Sequence, residues 1–197
     1  MSLYMFLNCT LYCGLSYDGD HDFTLSGYTD SDWAGSVSDR KSTSGCCFSL
    51  GSAMISWQSR KQSSIALSTV EAEYIVACSA SCEAIWLWKL LTDLFDLEMQ
   101  TTTILCDNQS CIKMTENPVF HDRSKHIVIR YHYIRDMVQR GALKLLYIST
   151  DEQVADVLTK PLSRVKFEHF RDKLGIVRKD PPWKGEYICI PFFWPRC

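Results

Sequence analysis

Alternating apolar and polar positions in the first third of the chain predict several short β-strands. Two β-prone runs between Leu11 and Asp30 flank Asp18-Gly19-Asp20, a pattern typical of a hairpin. Two more runs, at residues 45–50 and 53–57, lie on either side of a Gly-Ser turn. The pattern predicts an antiparallel meander, with the first run either inside it or belonging to an upstream connection.

The pattern then changes to helical spacing. Apolar residues recur every three or four positions over residues 66–95, with Ser68 at the start, and predict the longest helix. The predicted elements that follow are a strand at 101–106, helices at 109–115 and 125–139, a strand at 142–148, and helices at 150–159 and 164–174. Antiparallel strands followed by alternating helices and strands indicate an α/β fold with a mixed sheet.

The length of 197 residues, 46% of them hydrophobic, suits one domain with a proper core. We expect this domain over residues 12–177. Residues 1–11 are interpreted as the remnant of an upstream connection region. Residues 178–197 are rich in Pro, Trp and Phe without periodicity, and they are predicted to be an extended or disordered tail.

Charge and cysteine usage narrow the class of protein. The formal net charge of −2 gives no global attraction to phosphate, so nucleic-acid binding would need a local basic patch. The ten cysteines fall in apolar segments without the spacing of common zinc modules. This usage favours an intracellular protein, cytoplasmic or nuclear and not secreted. The apolar runs are interpreted as too short to span a membrane, so no membrane partner is expected.

Four carboxylates stand where this layout exposes side chains: Asp30 and Asp107 at strand ends, Glu73 in the long helix, and Asp156 in a late helix. Each alone is typical of a cap or turn residue. Together they would repel one another unless cations joined them. Hard oxygen ligands suit Mg²⁺ or Mn²⁺, and two such ions about 4 Å apart can hold both reacting oxygens of a phosphodiester. The pattern indicates hydrolytic phosphoryl transfer.

Nearby acids compete for these positions. Ser68 and Glu71 fit a capping box, in which Glu71 folds back onto the backbone amide of Ser68, so Glu73 is the catalytic candidate. Asp32 competes with Asp30, but it stands two residues further on and is expected to lie beyond the strand. Thr150 and Gln153 fit a second capping box, which places Asp156 early in its helix.

Three ordered segments carry a family resemblance: GYTDSDWAGSVSDRKSTSGCCFSLGSAMISWQSRKQSSIALSTVEAEY, LCDNQSCIKMTENPVFHDRSKHIVIRYHYIRDMV and DEQVADVLTKPL. They resemble the ribonuclease H domain of copia-type (LTR) retrotransposon Pol polyproteins, over residues 12–177. The resemblance implies the ribonuclease H-like α/β fold, a five-stranded mixed sheet with its first three strands antiparallel and helices on its faces. It also implies that Asp30, Glu73, Asp107 and Asp156 are both catalytic residues and ligands of two Mg²⁺ ions, with Mn²⁺ as a substitute.

The implied activity is endonucleolytic hydrolysis of the RNA strand of RNA-DNA hybrids, leaving 5′-phosphate and 3′-hydroxyl ends. One ion would activate the attacking water and the other would stabilise the leaving oxygen. RNA is recognised through its 2′-hydroxyls, so cutting is expected to be largely independent of sequence. The expected partners are the hybrid itself and reverse transcriptase or other Pol regions acting in trans, and the oligomeric state is left open.

Basic and polar residues suit contacts with the hybrid. The stretch from Arg123 to Arg140 carries several cations interleaved with tyrosines, a pattern equally consistent with a solvated helix face. The candidate nucleic-acid-binding residues are Arg40, Lys41, Lys61, Asn108, Arg123, Lys125, His126 and Arg130.

Two rival functions stay open. The first is a catalytically decayed retrotransposon fragment that retains the fold and acts only as a nucleic-acid-binding or interaction module. The second is another enzyme of the same general fold, such as an integrase or a proofreading exonuclease. An integrase would end its series of acids with glutamate, whereas the last acid here is Asp156, and an exonuclease would have glutamate where Asp32 stands.

Overall fold

A mixed β-sheet forms the centre of the computed structural model, which describes residues 13–17, 24–96, 100–116 and 133–178. The strands in these ranges are β1 (Cys13–Leu15), β2 (Leu25–Asp32), β3 (Thr43–Leu50), β4 (Ala53–Lys61), β5 (Thr102–Cys106), β6 (Leu143–Tyr147) and β7 (Ile176–Arg178). Five of these form the central sheet in the order β4-β3-β2-β5-β6. Strands β2, β3 and β4 are antiparallel, whereas β5 is parallel to β2 and β6 is parallel to β5. The predicted fold class is confirmed.

Helices cover both faces of this sheet. The described helices are α1 (Thr69–Phe95), α2 (Gln109–Glu116), α3 (seen over 133–139) and α4 (Arg164–Lys173), together with two 3₁₀ turns, Thr150–Glu152 and Val154–Leu158. One face of the sheet packs through Phe48 and Ile104 against α1 and through Leu143 against Ile134 of α3. The other face packs through Cys47 and Met54 against the second 3₁₀ turn and α4. Burial on both faces makes the sheet the central layer of the domain.

Helix α1 lies closely on the sheet because its inward face carries small residues. Ala77, Ala80 and Ala84 are all fully buried. By length and composition alone this helix could cross a membrane. The prediction that every apolar run is too short to span a membrane is therefore wrong for this helix. Half of the qualifying window is buried inside the fold, as in the core helix of a globular domain.

The first strand does not join the predicted hairpin. β1 pairs antiparallel with β7, with Cys13 opposite Arg178, in a separate two-stranded sheet. Ser16 N donates to Gly175 O at 2.9 Å, and the Tyr17 hydroxyl donates to Met54 O at 2.7 Å. This run therefore lies outside the meander, and its assignment to an upstream connection stays a prediction. Arg178, which we predicted to begin the tail, is the last residue of β7.

Candidate active site

The four predicted acids converge at one end of the central sheet. β2 and β5 run parallel with Thr29 beside Cys106, so the next residues, Asp30 and Asp107, stand at neighbouring positions. Glu73 reaches this end of the sheet from the first turn and a half of α1, and Asp156 reaches it from the second 3₁₀ turn. The structure thus brings together all four residues that the sequence singled out.

Asp30 is almost fully buried, with 3% of its surface exposed. Its Oδ2 accepts a hydrogen bond from the Thr159 hydroxyl, and Lys160 Nζ lies 3.8 Å from the same oxygen. Burial raises the pKa of Asp30 to about 6 against the lowering effects of Thr159 and Lys160, and the charges of Asp156 and Asp107 add to the rise. The carboxylate is therefore held in an environment that disfavours its charged form.

Glu73 is fixed by the strand that carries Asp30. Its Oε1 accepts a hydrogen bond from Ser31 N at 2.8 Å, and Cys106 Sγ lies 3.8 Å from its Oε2. Burial, together with the neighbouring charges of Cys106, Asp30 and Asp107, raises the pKa of Glu73 to about 10. A buried acid among other acids is the electrostatic pattern that a bound cation would relieve.

The competing acid Glu71 has a structural role, as predicted, with one difference in its partner. The Ser68 hydroxyl accepts from Glu71 N at 3.2 Å and caps α1. Glu71 Oε2 accepts from Leu67 N at 2.8 Å, not from Ser68 N. The glutamate therefore accepts from the residue that precedes the cap.

Asp156 is fully buried and lies between two lysines. Lys160 Nζ is 2.9 Å from Oδ1, and Lys166 Nζ, from α4, is 3.3 Å from Oδ2. Sequence reasoning missed both cations. Lys160 could have been found because it stands four residues after Asp156, the spacing of an ion pair on one helical face, whereas Lys166 carries no comparable local signal.

The segment around Asp156 is not the single helix that we predicted over 150–159. It forms two 3₁₀ turns separated by Gln153, whose backbone is extended at φ −74 and ψ 98. The second capping box is also wrong, because Ser149 caps the first turn and Thr150 instead donates to Asp107 Oδ2 at 2.9 Å. The physical reason is Gln153, which is fully buried and donates from Nε2 to Thr29 O at 2.9 Å.

A glycine allows this segment to approach the sheet. Gly45 pairs with Asp30 in the β2–β3 ladder. A Cβ at this position would lie 2.7 Å from Thr159 Cγ2 and 2.9 Å from Leu158 Cβ, closer than side chains pack. The absence of a side chain at Gly45 therefore lets Thr159 reach Asp30.

Replacing Gln153 with alanine is expected to destabilise the domain by about 1–3 kcal/mol, because the buried Thr29 carbonyl loses a hydrogen bond. Denaturant unfolding of the variant beside Gln109→Ala, a change at an exposed position of α2, measures the effect. Equal free energies of unfolding for the two variants would show that Gln153 does not hold the Asp156 segment on the sheet.

The donor set fits hard divalent cations. Within the described part of the chain, Asp156 Oδ1 is buried and accepts no hydrogen bond, although Lys160 Nζ lies near it. The acids Asp30, Glu73, Asp107 and Asp156 offer carboxylate oxygens, the ligands that Mg²⁺ and Mn²⁺ prefer. These four residues could hold such ions if the two lysines moved aside.

The predicted nucleic-acid-binding residues fall into three sets. Arg40 and Lys61 are exposed. Lys61 Nζ lies 2.9 Å from Asp39 Oδ1, and this ion pair joins the end of β4 to the β2–β3 loop that carries Arg40 and Lys41. Asn108 caps α2, because its Oδ1 accepts from Cys111 N at 3.0 Å. Arg123, Lys125, His126 and Arg130 lie outside the described residues.

Comparisons with known proteins agree with this architecture, although no protein-family model matches the chain. A retrovirus-related Pol polyprotein from transposon RE2 of Arabidopsis thaliana is 42% identical over 172 residues, which are 87% of this chain and 12% of the polyprotein. The N-terminal ribonuclease H domain of a Mycobacterium tuberculosis protein matches 77% of this chain and 98% of its own with a TM-score of 0.51 and 11% identity. LC11-RNase H1, solved in complex with an RNA/DNA hybrid, matches 69% of this chain and 94% of its own with a TM-score of 0.50 and 13% identity.

The chain is thus a domain of the ribonuclease H fold. More particularly, it is homologous to one region of the retrovirus-related Pol polyproteins of copia-type transposons, which confirms the identification made from the sequence. It spans about an eighth of the length of the transposon polyprotein it matches.

Proposed function

We propose that this chain is a ribonuclease H, an endonuclease that hydrolyses the RNA strand of RNA-DNA hybrids and leaves 5′-phosphate and 3′-hydroxyl ends. The observation that carries the proposal is the convergence of Asp30, Glu73, Asp107 and Asp156 at one end of the sheet. The hybrid in the LC11-RNase H1 complex supports the choice of substrate.

The proposed cofactors are two Mg²⁺ ions, with Mn²⁺ as a substitute, held by these four carboxylates. When bound, such ions activate a water molecule for in-line attack and stabilise the leaving 3′ oxygen. The residues of the chain fix where this takes place. Ser31 N holds Glu73, Thr150 holds Asp107, and Thr159 holds Asp30, so three of the four carboxylates are oriented by hydrogen bonds.

The two lysines around Asp156 have a role in the same proposal. They balance the charge of Asp156 in the metal-free protein and keep the acid segment folded against the sheet. On metal binding, Lys160 is well placed to turn toward solvent, because its side chain is 36% exposed. A freed ammonium group beside the acids would then attract a phosphate of the bound strand.

We propose that cations at the surface bind the phosphates of the substrate, two of them exposed and one, Lys41, half-buried. Arg40, Lys41 and Lys61 form one group through the Lys61–Asp39 ion pair. Contacts of this kind act on phosphates and carry no base sequence, which agrees with cutting that is independent of sequence. Reverse transcriptase or other Pol regions are the proposed protein partners. We also propose an intracellular location, which the burial of Cys46, Cys47, Cys106 and Cys111 as free thiols supports.

The test is cleavage of a labelled RNA-DNA hybrid by the purified chain with Mg²⁺ or Mn²⁺, beside Asp107→Asn. Single-stranded RNA, duplex RNA and a chelator serve as controls. We expect metal-dependent cutting of the hybrid RNA alone, which is lost in the variant. A folded protein that binds the hybrid without cutting it would instead support the non-catalytic binding module. The ion pairs of Asp156 with Lys160 and Lys166 are also consistent with that alternative.

A further inference from the structure

Two thiols lie next to the acid cluster, and the proposed hydrolysis does not use them. Cys106 is the last residue of β5 and is fully buried. Its Sγ lies 3.8 Å from Glu73 Oε2 and accepts a hydrogen bond from Asn108 N at 3.4 Å. The thiol of Cys111, also fully buried, is hydrogen-bonded to Cys106. The Cys106 sulfur is therefore held in place from two sides and aimed at Glu73.

Glu73, Cys106 and Asp107 each offer one ligand atom, and these three atoms lie within 4.8 Å of one another. We propose that this group binds a thiophilic divalent cation, with Zn²⁺ as the biological ion and Cd²⁺ as its probe. Its donor set differs from that of the four-carboxylate site because it contains a sulfur ligand.

The geometry suits a tetrahedral ion. Zinc binds sulfur at about 2.3 Å and carboxylate oxygen at about 2.0–2.2 Å, which places two such ligands of one ion about 3.5 Å apart. The separation of 3.8 Å between Cys106 Sγ and Glu73 Oε2 needs only a small adjustment. Asp107 supplies the third ligand and water the fourth, while Cys111 stays bonded to Cys106 and orients it.

Ligand softness separates this site from the magnesium chemistry. Thiolates bind Zn²⁺ and Cd²⁺ strongly, whereas Mg²⁺ takes oxygen ligands. Since Glu73 and Asp107 belong to both groups, an ion bound at Cys106 withdraws two of the four acids from the hydrolytic site. This consequence rests on the proposed function. It makes Zn²⁺ an inhibitor that acts at concentrations far below that of Mg²⁺.

The binding test does not require activity. The full chain is titrated with Cd²⁺ while the ultraviolet charge-transfer absorption of cadmium–thiolate bonds is recorded for wild type, Cys106→Ala and Cys47→Ala. Cys47 is the matched control because it is also a fully buried thiol, and it packs on the opposite face of the sheet. We expect wild type and Cys47→Ala to share a saturable component that Cys106→Ala lacks, over a background from other cysteines such as the exposed Cys82.

Glu73→Gln keeps every thiol and removes one carboxylate. The Cd²⁺ affinity of this component is expected to fall by about 10- to 100-fold or more, because loss of even an outer-shell partner reduces metal affinity by about that factor. The Glu73→Gln result stands even if Cys106→Ala fails to fold. Identical Cd²⁺ titrations of wild type and Glu73→Gln, or a full component in folded Cys106→Ala, would overturn the site.

The second arm measures inhibition of hybrid cleavage by Zn²⁺ in excess Mg²⁺. Cys106→Ala retains all four acids and is expected to need about 10- to 100-fold more Zn²⁺ for the same inhibition. Equal sensitivity of the two proteins would contradict a shared site. If the chain cuts no hybrid at all, the proposed function fails, while the Cd²⁺ titration still decides whether the thiophilic site exists.

Discussion

Replacing Asp156 with asparagine is expected to reduce hydrolysis of the RNA strand of a hybrid by about 10³-fold or more, because a ligand worth several kcal/mol of charge stabilisation is lost. The amide cannot balance Lys160 and Lys166, whose ammonium groups lie 2.9 and 3.3 Å from the carboxylate. The two cations, each having lost its shortest ion pair, would then repel the metal ions from the neighbouring acids. Initial cleavage rates at saturating Mg²⁺ measure the effect.

The matched control is Asp151→Asn. Asp151 also stands near Lys166, with 3.8 Å between Nζ and Oδ1, but its side chain is 94% exposed. Water screens this pair, so its loss is expected to leave the cleavage rate nearly unchanged. Similar rates for wild type and Asp156→Asn, with circular dichroism showing that the variant is folded, would remove Asp156 from the proposed catalytic set.

The second large effect concerns stability without metal. Glu73→Gln is expected to raise the free energy of unfolding by up to about 5 kcal/mol at pH 8, because each pH unit above 4.5 contributes about 1.4 kcal/mol. The corresponding rise in Tm is about 10 °C or more. Burial raises the pKa of Glu73 to about 10, so the native wild-type protein must bind a proton that the unfolded chain does not hold at this pH. Glutamine needs no proton and still accepts the hydrogen bond from Ser31 N.

The sign of the pH dependence follows from the same shift. Between the ordinary pKa of 4.5 and the raised value of about 10, the native state binds more protons than the unfolded state, so its stability falls as pH rises. Asp30 adds a smaller fall between 3.8 and about 6. Glu73→Gln should therefore match wild type near pH 4 and exceed it progressively above pH 5.

Thermal melts in chelator from pH 4 to pH 8 measure this difference, with Glu83→Gln as a control on the same helix. Addition of Mg²⁺ is expected to stabilise wild type more than Glu73→Gln, because the cation needs the ionised carboxylate. A constant difference in Tm across the pH range would show that Glu73 is not the buried acid responsible.

Much of the fold and of the acid cluster could be predicted from the sequence because both depend on local patterns. The capping signal at Ser68 separated Glu71 from Glu73 without any knowledge of the sheet. Asp107 directly follows the end of β5, as predicted, whereas Asp30 lies inside β2, which continues to Asp32 and does not end at Asp30. The two acids are neighbours because the parallel pairing of the two strands stops at Thr29 and Cys106. Periodicity located α1 correctly because its inward face is continuous over many turns.

The parts that could not be predicted depend on contacts between residues far apart in sequence. Gln153 breaks the predicted helix by donating to Thr29 O, 124 residues away. β1 pairs with β7, and no local pattern distinguishes that partner from β2. Lys166 reaches Asp156 from another helix, so its role depends on how α4 packs. Local sequence patterns indicate which residues form a helix or strand. Contacts between distant residues determine where that element breaks and which partners it contacts.

The pairing of β1 with β7 places the first and last described strands of the domain side by side. Residues 13 and 178 are opposite each other, and Gly175 packs on Ala53 at the turn between β3 and β4. That turn lies beside Leu25, where β2 begins, whereas the acids lie where β2 ends. The first and last described strands of the domain are therefore adjacent to each other and remote from the acids. Circular permutants that join these two points by a short linker should retain the arrangement of the acid cluster.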